Sequence, residues 1–141
     1  MIDSLAAVTE TSILPVESAS YRNLRLRVGS GLVAMGIAHV VAPAPFVKII
    51  PKSVPNPKFW NLVAAGAEAA AGILLLQSDP KKQRIGGALA TVTFIGVYPA
   101  NIDMAIKAGK PTNPKAIAAW ARLPMQLPMI RSGIRLAKGE A

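Results

Sequence analysis

One histidine and a handful of acids limit the chemistry that this chain can do. His39 and Glu68 each stand inside a long apolar stretch, and Asn101, Arg122 and Gln126 complete the set of polar groups set deep in such stretches. An imidazole beside a carboxyl group can hold or pass a proton, and Arg122 is the natural counter-charge for Glu68 or, by snorkelling, for Asp103. The same five residues can equally form a hydrogen-bonded lock between helices, or line a pocket for a quinone headgroup, a lipid headgroup or a proton path. Their types and spacing leave these alternatives open. No catalytic residue is identified. One histidine and one acid are too few for a metal centre. The chain has no cysteine, which excludes disulfides, thiolate ligands and a dithiol relay.

The elements that must position these groups are apolar blocks separated by short, basic, proline-containing segments. Only 16% of the 141 residues are charged, well below an average soluble domain. Spans are predicted over 28–46, 59–77, 85–102 and 116–133. The first is nineteen residues long, or about 28 Å as helix, close to the hydrocarbon thickness of a bilayer. Pro43 and Pro45 should kink or end it. Helix rise from these block ends puts His39 and Glu68 near the midplane. An unpaired carboxylate there costs several kcal/mol, so Glu68 must face the bundle interior or a partner. The fourth block is weaker, broken by Arg122, Pro124, Gln126 and Pro128.

Residues 1–27 read as a tail and 137–141 as a second one. The formal charge is +9, and the basic residues flank the apolar blocks without forming a basic helix or an aromatic stripe. Anionic lipid is therefore the expected partner of this charge, not nucleic acid. Nine Lys and Arg residues lie in the N-terminal tail, the 78–84 loop and the C-terminal end from Arg131 onward, against six in the other two loops. The positive-inside rule then places both termini in the cytoplasm. The fold class expected is all-α, an integral membrane four-helix bundle over 28–136.

Five stretches carry a resemblance to a known family. They are GIAHVVAPAPFVKIIPKSVPNP at 36–57, GAEAAAGILLL at 66–76, RIGGAL at 84–89, VYPANIDMAI at 97–106 and WARLPMQLPMI at 120–130. In these the chain resembles the DoxX-like family of small four-helix membrane proteins. That resemblance implies a four-span bundle in a bacterial-type inner or plasma membrane. It also implies polar or aromatic groups at His39, Glu68, Asn101, Trp120, Arg122 and Gln126. Members of the wider family are linked to quinone-coupled sulfur oxidation, to oxidative-stress complexes and to assembly roles. The chain departs from the family at Arg131, Ser132 and Gly133, where an aromatic residue often follows the last span.

These features point to a non-catalytic accessory or assembly subunit of a larger membrane complex. The alternative is a quinone-interacting subunit of a redox complex. No haem-ligand pair can be built on one histidine, so another chain would supply the electrons. No cofactor is evident in the sequence, and a quinone or a lipid is the candidate ligand.

Overall fold

Helix starts in this chain are written by a capping side chain followed by proline. In the computed structural model, which describes residues 17–140, α1 spans Ala19–Val41, α2 Pro43–Ile49, α3 Pro57–Leu76, α4 Pro80–Ala108 and α5 Pro114–Lys138. Three of the long helices begin with Asn or Asp before a proline. Asn56 accepts from Phe59 N at 3.2 Å, Asp79 from Lys81 N at 2.8 Å and Asn113 from Ala116 N at 3.0 Å. Each cap satisfies an orphan N–H, and the proline has none to lose at N1. Asn56 sits at φ 51°, a left-handed conformation that asparagine tolerates better than most residues. Gly139, at φ 76°, closes α5.

The fold is all-α, with five helices among the described residues, not four. The first apolar block does not form one helix. α1 starts at Ala19, nine residues before that block, and stops at Val41. Pro43 then restarts the chain as the short α2, because a residue before proline is pushed out of the α region. α1, α3 and α4 are long and apolar enough to cross a membrane. α5 is not among them, since three arginines, two lysines, a glutamine and two internal prolines dilute its apolar content. Of the tail read over residues 1–27, residues 1–16 lie outside the described residues.

Neighbouring helices pack as α1 on α3, α3 on α4 and α4 on α5, while α2 touches α1, α3 and α4. α1 and α5 meet at one end, where Tyr21 Oη donates to Leu136 O at 3.5 Å. At that same end Arg25 Nη1 donates to Leu75 O at 2.6 Å, and Gln83 Nε2 donates to Gln77 O at 2.9 Å. The guanidinium and the carboxamide thereby satisfy carbonyls that the end of α3 leaves orphaned.

Glycines set the helix spacing. A Cβ at Gly72 would lie 2.6 Å from Gly29 O, and one at Gly86 would lie 2.9 Å from Ala71 O. The backbones therefore touch where these helices cross, the contact typical of membrane helices. What lies inside and outside is the reverse of a water-soluble bundle. Arg25, His39, Asn61, Glu68, Gln83, Thr93, Asn101 and Gln126 are buried, while Ile37, Val41, Leu62, Ile85, Val92 and Ile95 are exposed. In water this arrangement would expose an apolar surface of a kind monomers avoid. In hydrocarbon it is the favoured one. The structure is consistent with a membrane-embedded helical bundle.

Candidate functional site

The buried polar residues form two separate groups. The first joins α1 to α3. His39 lies in the last turn of α1 and Asn61 in the second turn of α3, with Glu68 seven residues further on and so on the same helix face. Asn61 Nδ2 donates to His39 O at 2.9 Å, which fixes the orientation of the amide and leaves Asn61 Oδ1 2.8 Å from His39 Nδ1. An amide oxygen only accepts, so Nδ1 carries the hydrogen.

His39 Nε2 then faces Glu68 Oε2 at 3.4 Å. A neutral imidazole with its hydrogen on Nδ1 would present a lone pair to the carboxylate. One proton between the two groups, on either atom, makes the contact attractive. Glu68 Oε2 is buried without a hydrogen-bond partner, so the pair is close but its hydrogen bonding is incomplete. Phe46 of α2 stacks on the imidazole, ring centroids 3.8 Å apart and planes at 22°. The aromatic ring shields the histidine on one face. An open groove of about 550 Å³ adjoins the cluster, bordered by His39 and Asn61 and by Lys48 and Lys58.

The second group joins α4 to α5. Asn101 Nδ2 donates to Gln126 Oε1 at 3.3 Å, and Gln126 Nε2 donates to Phe94 O at 2.6 Å. No hydrogen bond links this pair to the first group among the described residues. Thus the structure unites His39 with Glu68 and Asn101 with Gln126, and leaves Arg122 with neither. Arg122 is exposed, and its Nη1 lies 3.6 Å from Met104 Sδ. Asp103 is paired with Lys107 one turn away. The expected Arg122 counter-charge to Glu68 is therefore not made; a guanidinium can reach the headgroup level from this end of α5 without being buried.

Because α1 begins at Ala19 and ends at Val41, His39 lies about 3 Å of helix rise from its end. Glu68, eleven residues into α3, lies about 17 Å from that helix's start, and the two meet at 3.4 Å because α1 crosses α3 well inside that start, Gly36 lying against Ala65 and Ala69.

Asn61 was not singled out from sequence, although its seven-residue spacing from Glu68 placed both on one face. Phe46 and Arg25 were also missed. Arg25 read as a tail residue, yet it is buried against the end of α3. Among the described residues no three His, Cys, Asp or Glu side chains gather as a metal site would need.

Residues 28–137 match the family described as a domain of unknown function, DUF8561. The match takes in most of the chain, and the chain belongs to that family. No curated protein and no solved structure matches it.

Proposed function

We propose that this member of the DUF8561 family is a non-catalytic accessory or assembly subunit that packs against a larger integral membrane protein. The observation that carries this reading is a pair of outward glycines. Gly31 on α1 and Gly96 on α4 are exposed, and a Cβ built on either meets nothing within 4 Å. Glycine costs a helix about 1 kcal/mol relative to alanine. Neither residue recovers that cost by packing within the chain, whereas a partner's helix approaching closely would use the space. The DoxX-like stretches around Pro99 and Trp120 support the same kind of role, since assembly functions occur in that wider family.

The orientation that fits this role has both termini in the cytoplasm of a bacterial-type inner or plasma membrane. Its support is that the start of α1 and the end of α5 share an end of the bundle with the 78–84 turn. These are the segments richer in Lys and Arg. Cysteine labelling of Ser20 and Ser78 variants from either side of sealed vesicles tests it. Protection of both from a periplasmic reagent is expected; their labelling would reverse the orientation.

For the quinone-linked alternative, a site at the His39 cluster needs a free donor for a quinone carbonyl. His39 has its Nδ1 engaged by Asn61 and its Nε2 turned to Glu68, so the imidazole does not fit that task.

The deciding experiment is purification of the tagged full-length chain from its native membrane in mild detergent. A larger membrane protein should accompany it, and Gly31→Leu or Gly96→Leu should lose that protein while the chain itself stays folded. Recovery of a solitary chain under every mild condition would end the proposal.

A further inference from the structure

We propose that the outer groove between α1 and α3 is a binding site for one anionic phospholipid, with an acyl chain in the trough between the helices and the phosphate between Lys48 and Lys58. Two open depressions carry this assignment. The first, about 450 Å³, has a floor of small residues, Gly36, Ala65, Gly66 and Ala69, and wholly apolar walls. The second is the groove of about 550 Å³ beside His39. Val40 and Leu62 border both, so the two adjoin along the α1–α3 seam as a channel that is apolar in the first and carries its two lysines in the second.

The charge on those lysines is uncompensated. No Asp or Glu occurs between Glu17 and Glu68, and among the described residues neither Lys48 nor Lys58 has a carboxylate partner. Glu68, the acid that α3 does carry, is turned to His39. His39 and Asn61 form the polar wall of the groove but bind each other through two contacts. The end of the channel therefore selects charge more than a pattern of donors and acceptors.

The depth is right for a headgroup. Lys58 lies in the first turn of α3, next to Phe59 and Trp60. These two exposed rings meet edge to face at 5.5 Å, and an amphipathic indole favours the bilayer interface. An occupant that is apolar along the trough and anionic at interface depth is a phospholipid. This site lies apart from Gly31 and Gly96 and does not depend on a protein partner.

Native mass spectrometry of the full chain in mild detergent, with equal amounts of phosphatidylglycerol and phosphatidylcholine, tests the proposal. One phosphatidylglycerol should be retained in preference by more than about tenfold, at roughly fivefold for each lysine. The exposed double variant Lys48→Gln/Lys58→Gln should lose the preference. Lys81→Gln/Lys82→Gln, at the other end of the bundle, should keep it. Gly66→Leu points a side chain into space that holds no atom within 4 Å of its Cβ, so it should fill the trough and lower retention of both lipids without unfolding the chain. Equal retention of the two lipids by the unaltered chain would overturn the proposal. So would a Lys81→Gln/Lys82→Gln variant that lost the preference equally, or undiminished retention in Gly66→Leu.

Discussion

The α1–α3 pair and the α4–α5 pair are built on the same plan with one difference. Each crosses at glycine: Gly72 against Gly29 in the first, and Gly133 in the second, where a Cβ would lie 2.5 Å from Thr91 Oγ1. Each also carries buried side-chain amides that join the two helices. In α4–α5 the pair is neutral, and Asn101 and Gln126 bind each other and a backbone carbonyl. In α1–α3, Asn61 already holds His39 through ring and backbone, and an acid is added whose Oε2 has no hydrogen-bond partner. The amides suffice to join helices. Glu68 is not needed for those amide contacts, and its ionisable group is what sets the α1–α3 pair apart.

The largest effect is expected where the two pairs are alike. Gly72→Ala would set a Cβ 2.6 Å from Gly29 O and 2.7 Å from Val33 Cγ2. Backbone cannot yield there as a flexible side chain can, and the cost should reach about 3 kcal/mol or more. Gly96→Ala, in open space, should raise stability by up to about 1 kcal/mol. Thermal or denaturant unfolding in detergent compares them. If Gly72→Ala melted like Gly96→Ala, glycine contact would not be the common basis of the two pairs.

The next comparison separates them. Gln126→Leu removes the bonds to Asn101 and Phe94 O and should cost about 1 kcal/mol, the scale of interhelical hydrogen bonds in membranes. Glu68→Gln keeps the shape and supplies an N–H that can donate to His39 Nε2, so stability should stay level or rise by up to about 1 kcal/mol. A loss in Glu68→Gln as large as in Gln126→Leu would make the carboxyl group another structural joint and erase the distinction.

How much of this was legible in sequence depends on the kind of signal. Hydropathy located the apolar blocks because solvation by lipid is a property of composition. It set the block starts inside the true helix starts, since Lys58, Lys81, Lys82 and Lys115 are polar yet belong to first turns. The Asn-Pro and Asp-Pro dipeptides at 56–57, 79–80 and 113–114 held that information through capping chemistry. The four-residue spacing of Glu68 and Gly72 also puts both on one helix face, the one turned to α1. What sequence could not supply was the pairing across helices. Arg122 and Glu68 looked complementary in charge, but it is His39 that faces Glu68, and which side chains meet depends on crossing geometry that no single helix encodes.

The smallest expected effect again marks α1–α3, at its opposite end, where Arg25 binds α3 carbonyls and also Glu17. Arg25 Nε donates to Glu17 Oε1 at 2.7 Å and Nη2 to Oε2 at 3.2 Å, a bidentate pair. The Arg25 hydrogen bonds hold the Glu17 carboxyl below its ordinary value of 4.5, against some desolvation. A carboxyl group whose folded value is depressed adds stability that is fully present above its unfolded value and is lost as pH falls through the folded one. Glu17 is largely exposed, so solvent screening keeps the contribution small. Glu17→Gln should therefore be slightly less stable than the unaltered chain at neutral pH, and the gap should close as pH is taken below the folded value. The matching change on the other side, Arg25→Gln, should cost more at every pH, because it also releases the carbonyls of Leu75 and Gln77. Unfolding curves in detergent from neutral to acid pH distinguish the two. A gap for Glu17→Gln that stayed constant into strong acid would show that its carboxylate plays no electrostatic part in holding Arg25 against α3.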